Sequence, residues 1–479
     1  MSFLLSPEMD KNKIFLVNRS ELEGRLDTVF YHPKNLANEV AIKNSKWGYE
    51  KVGHIAARIA DGPFGSDLKV DEYQSEGNPL LRVSNIRTGE VEGKLVYISD
   101  KKQEQLKRSK VFPNDVLLTK AGAILGYSAV FPETLKEGNI TSHLVTITCR
   151  DGIDPHYLSH FFRSNIGQLQ IYRWGNKSTR PELNTGEVEE ILVTTPPPHI
   201  QAVIVKNLNE AYAEKKLKDA EAQRLLDSID DYLLKELGIE LPGQDENTTQ
   251  SRIFIRQSSD VSGGRFDPNY HFKIDQITGH KADYNFIKLK DIIKCPPQYG
   301  ANEPAIEGNK DKGVRYIRIT DISEIGELKH NSWRTSKNIE NQYLLQKNDL
   351  LFARSGSVGR AYLHIYTEEK AIFAGYLIRF ILNEKKVNPN YIFFYCHSII
   401  YKLWVDAIYR PAVQANINAE EYKSLPIALP PIEKQTEIAN HIIEVRNHAK
   451  QLQREAIEEL EQAKKEVELM ILGKDEVKA

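Results

Sequence analysis

Two long polar segments without glycine or proline constrain the fold of this 479-residue chain more than any other feature. The first, Gln201 to Leu237, follows Pro-Pro-Pro-His-Ile and stops at Gly238. The second, Lys434 to Leu472, follows Pro-Pro-Ile-Glu and stops at Gly473. Proline before a segment and glycine just after it are ordinary start and stop signals of a helix. The sequence therefore predicts two long helices that begin and end alike, which indicates a chain built from two like halves.

The rest of the chain repeats as well, at a spacing of 234 to 240 positions. Matched pairs along the two copies are Arg25 and Arg265, Arg82 and Arg318, Asp115 and Asp349, Tyr157 and Tyr391, and Asn184 and Asn418. The spacing drifts only through small gaps, so the copies are collinear. A period this long indicates two duplicated domains and not a solenoid.

Each copy has the pattern of a mixed α/β domain. Short apolar runs at Leu80–Ile86 and Val314–Ile319 predict strands, and Pro155–Gln170 and Pro389–Val405 have aromatic and aliphatic residues at helical spacing. The predicted fold class is α+β/α, with two tandem domains, two long helices and pseudo-two-fold symmetry. The predicted divisions are an N-terminal extension (1–24), a first domain (25–199), a first long helix (200–240), a linker (241–252), a second domain (253–431), a second long helix (432–473) and a tail (474–479).

Both long helices have an apolar stripe that needs a partner. The second stripe steps by four and three through Ile438, Ile442, Val445, Ala449, Leu452 and Ala456, and continues after a stutter through Leu460, Ala463, Val467 and Met470. The first is less regular and runs through Ile204, Leu208, Ala211, Leu217, Ala220, Leu225, Ile229, Leu233 and Leu237. We expect the two stripes to pack together as an antiparallel intramolecular coiled coil. The alternative is a homodimer held by an intermolecular coiled coil.

Composition narrows the class of protein. A hydrophobic content of 41% and a charged content of 27% are ordinary for a globular protein. No apolar run is long enough to predict a membrane span, and the first residues do not have the pattern of a secretory signal. The three cysteines are far apart, which favours a reduced, cytoplasmic setting without a zinc site. The net charge of −2 is an average, because Tyr172–Arg180 carries three cations and no acid.

The order of domain, Pro-Pro-x-x-x-Gln and long helix, occurring twice, resembles the specificity (S) subunit of type I restriction–modification systems. Further similarity lies in Arg-[Leu/Phe]-Asp at the start of each copy and in Asn-Asp-[Val/Leu]-Leu before a glycine turn. The resemblance covers nearly the whole chain. It implies that the two domains are target recognition domains, each reading one half of a split double-stranded DNA sequence, and that the helices act as a spacer.

The resemblance also implies partners and excludes catalysis by this chain. It implies two methyltransferase (modification) subunits, which bind S-adenosylmethionine and methylate adenine, together with restriction subunits, and no cofactor in this chain. The exposed helix faces at Glu214–Arg224 and Arg446–Glu459 are candidate docking surfaces for the methyltransferase subunits, and the alternative is that they are solvated charged faces. At about 1.5 Å per residue each helix spans roughly 55 Å, which suits half-sites about one and a half DNA turns apart. The alternative function is a coiled-coil homodimeric scaffold, or a DNA-binding protein outside restriction–modification.

Candidate DNA-binding residues are polar, cationic or aromatic side chains in loops between core elements, because such side chains reach base edges and phosphates. In the first copy they are Phe64, Ser66, Lys69, Lys120, Arg173, Asn176, Lys177 and Arg180. In the second copy they are Gln298, Tyr299, Asn302, Arg354, Ser355, Arg360, Tyr409, Arg410, Gln414 and Asn416. Because the copies differ at these places, the two half-sites are expected to differ.

Three motifs with possible chemistry are better explained by structure. Asp267-Pro268-Asn269-Tyr270 is similar to the amine-holding loop of amino-methyltransferases, but no glycine-rich cofactor loop follows a strand. Glu92-Gly93-Lys94 and Glu327-Leu328-Lys329 match a nuclease fragment without its upstream acid, and we expect solvated turns. His156 and His160 have the spacing of zinc ligands but no third ligand, so helix packing is the simpler prediction. No catalytic or metal-binding residue is predicted.

Overall fold

The computed structural model describes residues 6–474 except 7–8, 11–12, 23–24, 64, 66, 88, 123, 176–180, 242–252, 254, 256, 258–264, 280–281, 309–312, 330–332, 367 and 409–415. The chain forms two compact units, of which the first is Met1–Lys218 with Arg454–Ala479 and the second is Asp219–Gln453. Each unit contains one mixed α/β domain and a part of each long helix. Among the described residues, no helix is long and apolar enough to cross a membrane.

The first domain is built on two four-stranded sheets. Its helices are α1 (Pro33–Lys43), α2 (Val52–Ile55), α3 (Asp100–Gln105), α4 (Pro155–Arg163), α5 (Asn165–Gly175) and α6 (Thr185–Glu189). Its strands are β1 (Tyr49–Lys51), β2 (Ala56–Asp61), β3 (Asn78–Leu81), β4 (Val96–Ile98), β5 (Lys110–Val111), β6 (Val116–Thr119), β7 (Ser128–Val130), β8 (Gly138–Ile140), β9 (Leu144–Cys149) and β10 (Leu192–Thr194). The sheets have the orders β2-β9-β6-β7, which is antiparallel, and β4-β3-β8-β5, in which β3 and β8 are parallel. The pair β1-β10 joins the beginning of the domain to its end.

The second domain repeats this plan after the first long helix, α7 (Pro198–Leu237). Its strands are β11 (Phe286–Lys288), β12 (Gln298–Tyr299), β13 (Ile306–Glu307), β14 (Arg315–Ile317), β15 (Arg334–Thr335), β16 (Asp349–Ala353), β17 (Ala361–Leu363), β18 (Ala371–Phe373), β19 (Leu377–Ile381) and β20 (Pro426–Ala428). Its helices are α8 (Pro268–Thr278), α9 (Pro389–Tyr395), α10 (Ile399–Ile408) and α11 (Ala419–Lys423), and the second long helix, α12 (Ile432–Ile471), follows. The antiparallel sheet β12-β19-β16-β17, the parallel pair β14-β18 and the closing pair β11-β20 match their counterparts in the first domain, while β13 pairs with β15. The predicted mixed α/β class is confirmed.

Each stretch predicted as helical before the long helices is divided in two by a serine. The Ser164 hydroxyl oxygen accepts the backbone N–H of Gly167, and the Ser398 hydroxyl oxygen accepts that of Tyr401. A serine that satisfies a free N–H at the start of a helix favours a new start over continuation. The chain therefore turns between α4 and α5, and again between α9 and α10.

A buried glutamine fixes each domain to the start of its long helix. The Gln201 amide oxygen accepts the N–H of Asp154 at 2.8 Å, and the amide nitrogen donates to the carbonyls of Gly152 and Pro196, each at 2.8 Å. Gln435 repeats this with Asn388, Lys386 and Pro430. Both glutamines are 1% exposed. The glutamine of the Pro-Pro-x-x-x-Gln signature thus satisfies backbone groups in the loop before α4 or α9.

The other long helix supplies a second anchor in each unit. Glu468 of α12 accepts the backbone N–H of Asn165 at the start of α5, and Asp230 of α7 accepts that of Ile399 at the start of α10. A carboxylate at a helix start satisfies a free N–H group and opposes the positive end of the helix dipole. Each domain is therefore held by polar contacts from both long helices.

In each unit a cation that packs on an aromatic ring also fixes the domain to a long helix. The cation belongs to the domain in the first unit and to the long helix in the second. In the first unit the guanidinium of Arg163, in the domain, lies 4.4 Å from the ring centre of Tyr212 on α7. In the second unit the cation is on the long helix: Arg446 lies 5.5 Å from the ring centre of Phe394 and binds Glu327 at 2.9 Å. The predicted docking face at Arg446–Glu459 is therefore wrong at its first residue, which packs against its own domain.

Contacts inside each unit show that the long helices run antiparallel. In the first unit Asn207 contacts Met470, and the Lys218 amine lies 2.5 Å from Glu459. In the second unit the rings of Tyr232 and His441 are 4.0 Å apart. The residue numbers of the contacts increase along α7 while those of their partners decrease along α12. The predicted antiparallel intramolecular pairing is therefore confirmed.

The buried face of α12 follows the predicted stripe, whereas that of α7 departs from it. Ile438, Ile442, Ala449, Ala456 and Val467 are buried as expected. On α7, however, Leu217 is 70% exposed and Ala220 is exposed, so their prediction was wrong. The four-and-three spacing that begins at Ile204 and Leu208 continues instead through Lys215, Lys218 and Ala222. The aliphatic stem of a lysine can cover an apolar seam while its amine reaches an acid.

Replacing Gln201 by Ala is expected to lower the free energy of unfolding by about 3 kcal/mol, because it leaves buried backbone groups without partners. Chemical denaturation followed by circular dichroism measures the change. Gln223→Ala is the matched control: Gln223 is exposed on the same helix, so a change within about 0.5 kcal/mol is expected. Equal effects of the two substitutions would contradict the role given to Gln201.

Replacing Ala222 by Leu is expected to destabilise the chain by about 1–3 kcal/mol, because Ala222 is fully buried and the larger side chain overfills the seam. Leu217→Ala is expected to change the free energy of unfolding by less than about 0.5 kcal/mol. Urea denaturation of both variants tests the corrected stripe. A larger loss of unfolding free energy for Leu217→Ala than for Ala222→Leu would support the apolar stripe predicted from the sequence.

Candidate nucleic-acid interface

In the second domain an arginine and two exposed tyrosines lie together beyond the end of a sheet. Arg354 follows β16, and its backbone N–H donates to the carbonyl of Tyr376 at 3.0 Å. Its guanidinium carbon lies 5.2 Å from the ring centre of Tyr299, at the end of β12. Tyr299 and Tyr376 are 41% and 61% exposed. A cation against an exposed aromatic ring offers both charge attraction and stacking to a nucleic acid.

The segment before α11 brings a further predicted residue to the same place. Ser355 forms an isolated β-bridge with Asn416, and the N–H of Ile417 donates to the carbonyl of Arg354 at 2.9 Å. The structure therefore brings together Tyr299, Arg354, Ser355 and Asn416, which the sequence placed in three separate loops. Tyr409, Arg410 and Gln414 lie outside the described residues.

Other candidates of the second domain have different surroundings. The Arg360 guanidinium donates to the carbonyls of Ile319 and Ile322, at 3.3 and 2.8 Å, so it holds a turn of its own domain. The Gln298 side chain accepts a hydrogen bond from Arg379. Asn302 is exposed in the loop after β12. Of these three, only Asn302 is plainly accessible to a ligand.

In the first domain the residue that matches Arg354 is internally neutralised. The Lys120 amine lies 3.4 Å from Asp61, whose other oxygen lies 3.1 Å from Arg108. Lys120 is only 8% exposed. The backbone arrangement is that of the second domain, with an Ala121–Glu182 bridge and the N–H of Leu183 donating to the Lys120 carbonyl at 2.8 Å.

Arg173 is inside the first domain. Its Nε donates to the carbonyl of Phe30 at 2.8 Å, its guanidinium carbon lies 4.0 Å from the Phe30 ring centre, and it pairs with Glu39. Hydrogen bonds and charge attraction from Lys43 and Arg173 hold the pKa of Glu39 below its usual value, against the opposing effect of burial. Lys69 is exposed. Phe64, Ser66, Asn176, Lys177 and Arg180 lie outside the described residues.

Sequence reasoning missed Arg82, although the repeat contained a signal for it. Arg82 lines a cavity of about 370 Å³ together with Ser84, Thr141, Ser142 and His143. Its match in the second domain, Arg318, is followed three residues later by an aspartate, whereas Arg82 is followed by an asparagine. That single difference in charge between aligned positions could have singled out Arg82.

The residues considered for chemistry have local partners. Burial lowers the pKa of His160 to about 4, and the neutral ring contacts the Asn209 side-chain oxygen at 3.0 Å. Glu327 is paired with Arg446 and Lys450, so its turn is not simply solvated as predicted. In the described part of the chain, no group of three or more His, Cys, Asp or Glu side chains could hold a metal ion.

The chain has two duplicated α/β domains, each with a polar loop cluster and each fixed to a long helix. This arrangement is similar to that of proteins that recognise nucleic acid through tandem domains. A family profile described as the type I restriction modification DNA specificity domain matches residues 281–462. The putative type I restriction enzyme MjaX specificity subunit of Methanocaldococcus jannaschii is 23% identical over 463 residues, which cover 94% of this chain and 98% of that protein. The EcoBI specificity subunit of Escherichia coli is 22% identical over 410 residues, 83% of this chain and 79% of that protein.

A solved structure supports the same fold. A chain from a structure of complex assembly and conformational transition of the type I R-M system has a TM-score of 0.56 and 14% identity, over 90% of this chain and 98% of that one. The chain is thus similar over most of its length to specificity subunits of type I restriction–modification systems. The resemblance inferred from the repeated motifs is thereby confirmed.

Replacing Arg173 by Ala is expected to destabilise the first domain by about 2–4 kcal/mol, because it removes the hydrogen bond to the Phe30 carbonyl and leaves the partly buried Glu39 with Lys43 as its one remaining cation. Thermal and chemical denaturation measure the loss. The double variant Arg173→Ala with Glu39→Ala is expected to recover part of it, since the partly buried carboxylate that lost one of its two cations is removed as well. A stable single variant with weakened DNA binding would instead support the predicted DNA contact of Arg173.

Proposed function

We propose that this chain reads the DNA target of a type I restriction–modification complex, and that each domain recognises one half of a bipartite, asymmetric sequence. The observation that carries the proposal is the duplicated loop cluster with different side chains. Tyr299, Arg354 and Tyr376 lie together in the second domain, where the strand register and the equivalent backbone hydrogen bonds place Asp61, Lys120 and His143 in the first. Two similar frames with different polar side chains suit two half-sites of different sequence.

The long helices are proposed to set the spacer between the half-sites. Each is a continuous 40-residue helix, and inside each unit the two pair through ion pairs and buried seam residues. A helix stabilised along its whole length by a partner is stiff enough to keep a fixed distance. Changes in the number of seam repeats are therefore expected to change spacer length and not half-site sequence.

Catalysis is proposed to belong to partner subunits. In this account two modification subunits carry S-adenosylmethionine and methylate adenine, and restriction subunits join them, while this chain binds double-stranded DNA and scaffolds the assembly. The face at Glu214–Arg224, which includes the exposed Leu217, and the part of the other face that follows Arg446 remain candidates for docking a modification subunit. The chain itself needs no cofactor for this role.

The complex of this chain with its modification subunits is expected to enrich, from random DNA, two short motifs at one fixed spacing. The reason is that two separately folded recognition domains on one scaffold must engage DNA together. Selection followed by sequencing measures the enrichment, and mapping of methylated adenine in the source genome checks it independently. Enrichment of one undivided motif, or of none over a range of salt concentrations, would contradict the proposal.

A further inference from the structure

Two cation positions are shared by the domains, and they are neutralised in opposite ways. The first cation position is Arg82 in the first domain and Arg318 in the second. The second cation position is Lys120 in the first domain and Arg354 in the second. Among the residues that the structure describes, one of the two cations in each domain is bound to an internal acid and the other has no such acid.

At the first cation position the backbone is the same in both domains. Each arginine precedes a short 3₁₀ turn and donates its N–H to the side chain three residues on, Asn85 at 3.0 Å or Asp321 at 2.9 Å. The Arg318 guanidinium also binds Asp321 through two hydrogen bonds of 3.0 and 2.7 Å. Such a fork uses the donors of the arginine and cancels its charge. Arg318 is therefore occupied by its own domain.

Arg82 has no equivalent acid, because its neighbour is the neutral Asn85. The Asn85 amide donates to the carbonyls of Glu92 and Lys94, and among the described residues the Arg82 side chain donates one hydrogen bond, to the Lys94 carbonyl at 3.1 Å. Its Nε is buried and has no hydrogen-bond partner. In the described part of the chain Arg82 makes no ion pair. The charge of Arg82 is thus uncompensated.

The surroundings of Arg82 can receive a polar ligand. The cavity of about 370 Å³ beside it is lined by hydroxyl groups of Ser84, Thr141 and Ser142 and by the exposed His143. A cation with several hydrogen-bond donors around a small cavity suits a DNA phosphate or the acceptor edge of a base. This set lies in the sheet-end loops of the first domain, between β8 and β9 and after β3.

At the second cation position the pattern is reversed. Lys120 is neutralised by Asp61 at the end of β2. Asp61 pairs in register with Val145, and the residue paired with the matching Ile378 is the neutral Tyr299. Arg354 consequently lies against Tyr299, and within the described residues it has no acid at this position and its buried Nε has no hydrogen-bond partner. The two domains therefore differ in where the acid stands: Asp61 is at the second cation position of the first domain, and Asp321 is at the first cation position of the second domain.

We propose that the two domains contact DNA through opposite cation positions: the first through Arg82 and the second through Arg354, while Arg318 and Lys120 stabilise their own domains. The inference rests on the proposed function and adds the side chains that carry it. Only a cation that is not already paired gains from meeting a phosphate or a base acceptor. The chemistry recognised is a hydrogen-bond-accepting group of DNA.

Removal of charge at the four matched positions tests the inference in the complete complex with modification subunits. Arg82→Met and Arg354→Met keep an aliphatic stem and are each expected to weaken binding to the selected target roughly 5- to 150-fold. The controls are Lys120→Met, which leaves Asp61 bound to Arg108, and the charge-neutral double variant Arg318→Met with Asp321→Asn. Both controls are expected to bind within about twofold of wild type, since neither removes an uncompensated charge.

The type of DNA contact is read from the same variants. Loss of discrimination at one base pair of one half-site assigns a base edge to the arginine. If affinity falls equally for all DNA sequences, and the slope of log affinity against log salt concentration decreases by about one, the arginine contacts a phosphate. Both results support the inference, and thermal unfolding at the wild-type temperature excludes loss of folding as their cause.

Three outcomes separate the possible failures. Wild-type binding by Arg82→Met and Arg354→Met at all salt concentrations would overturn the inference and leave the proposed function standing. A control that loses as much as its matched arginine would also overturn it. If the wild-type complex selects no bipartite sequence, the proposed function fails and this inference fails with it.

Discussion

The fold depends on one buried side chain per half, the glutamine that begins each long helix. Gln201 and Gln435 each satisfy one N–H and two carbonyl groups of backbone that would otherwise be unpaired beside a helix start. A buried amide has fixed donor and acceptor directions, so it accepts one orientation of its surroundings, which an apolar contact does not require. The acids Glu468 and Asp230 add a second directional contact from the other helix. The attachment of a domain to its helices is therefore specified in angle as well as in position.

That attachment explains why the two halves can differ elsewhere. The glutamine bonds, the closing strand pairs and the 3₁₀ turns involve mainly backbone partners, which do not depend on neighbouring side chains. Loop residues can then change without altering the frame. Asp61 and Tyr299, and Asn85 and Asp321, are such changes. Moving one negative charge decides which cation remains available, so a small difference in sequence can give a large difference in DNA recognition.

The sequence was sufficient for features that depend on periodicity. The helix bounds at Gly238 and Gly473 agree with the structure, as does the seam through Ile438 and Ile442, because glycine stops and apolar spacing act locally. Leu217 was misplaced because apolar character was used to find the seam, whereas position along the helix determines it and Lys218 occupies it. The divisions at Ser164 and Ser398 were missed because a serine in a helical pattern has several possible roles.

The candidate site was predictable where the repeat placed loops in register, as for Tyr299, Arg354 and Asn416. It was not predictable where the availability of a cation depends on a distant partner. Arg173 is held by Phe30 and Glu39, more than a hundred residues away, and nothing in its local sequence indicates this. Composition identifies cations, but only three-dimensional pairing separates those that stabilise a domain from those that can meet a ligand.

The central claim is that two independent DNA-recognition domains are attached to the long helices in the same way, through Gln201 and Gln435. It is tested most directly by placing residues 25–200 in the position of residues 265–434, so that Gln435 receives a second copy of the first domain. Methylated positions are then mapped for the complex of this chain with its modification subunits. The account predicts that both half-sites carry the base sequence read by the first domain. An active complex whose second half-site keeps its original sequence would contradict it.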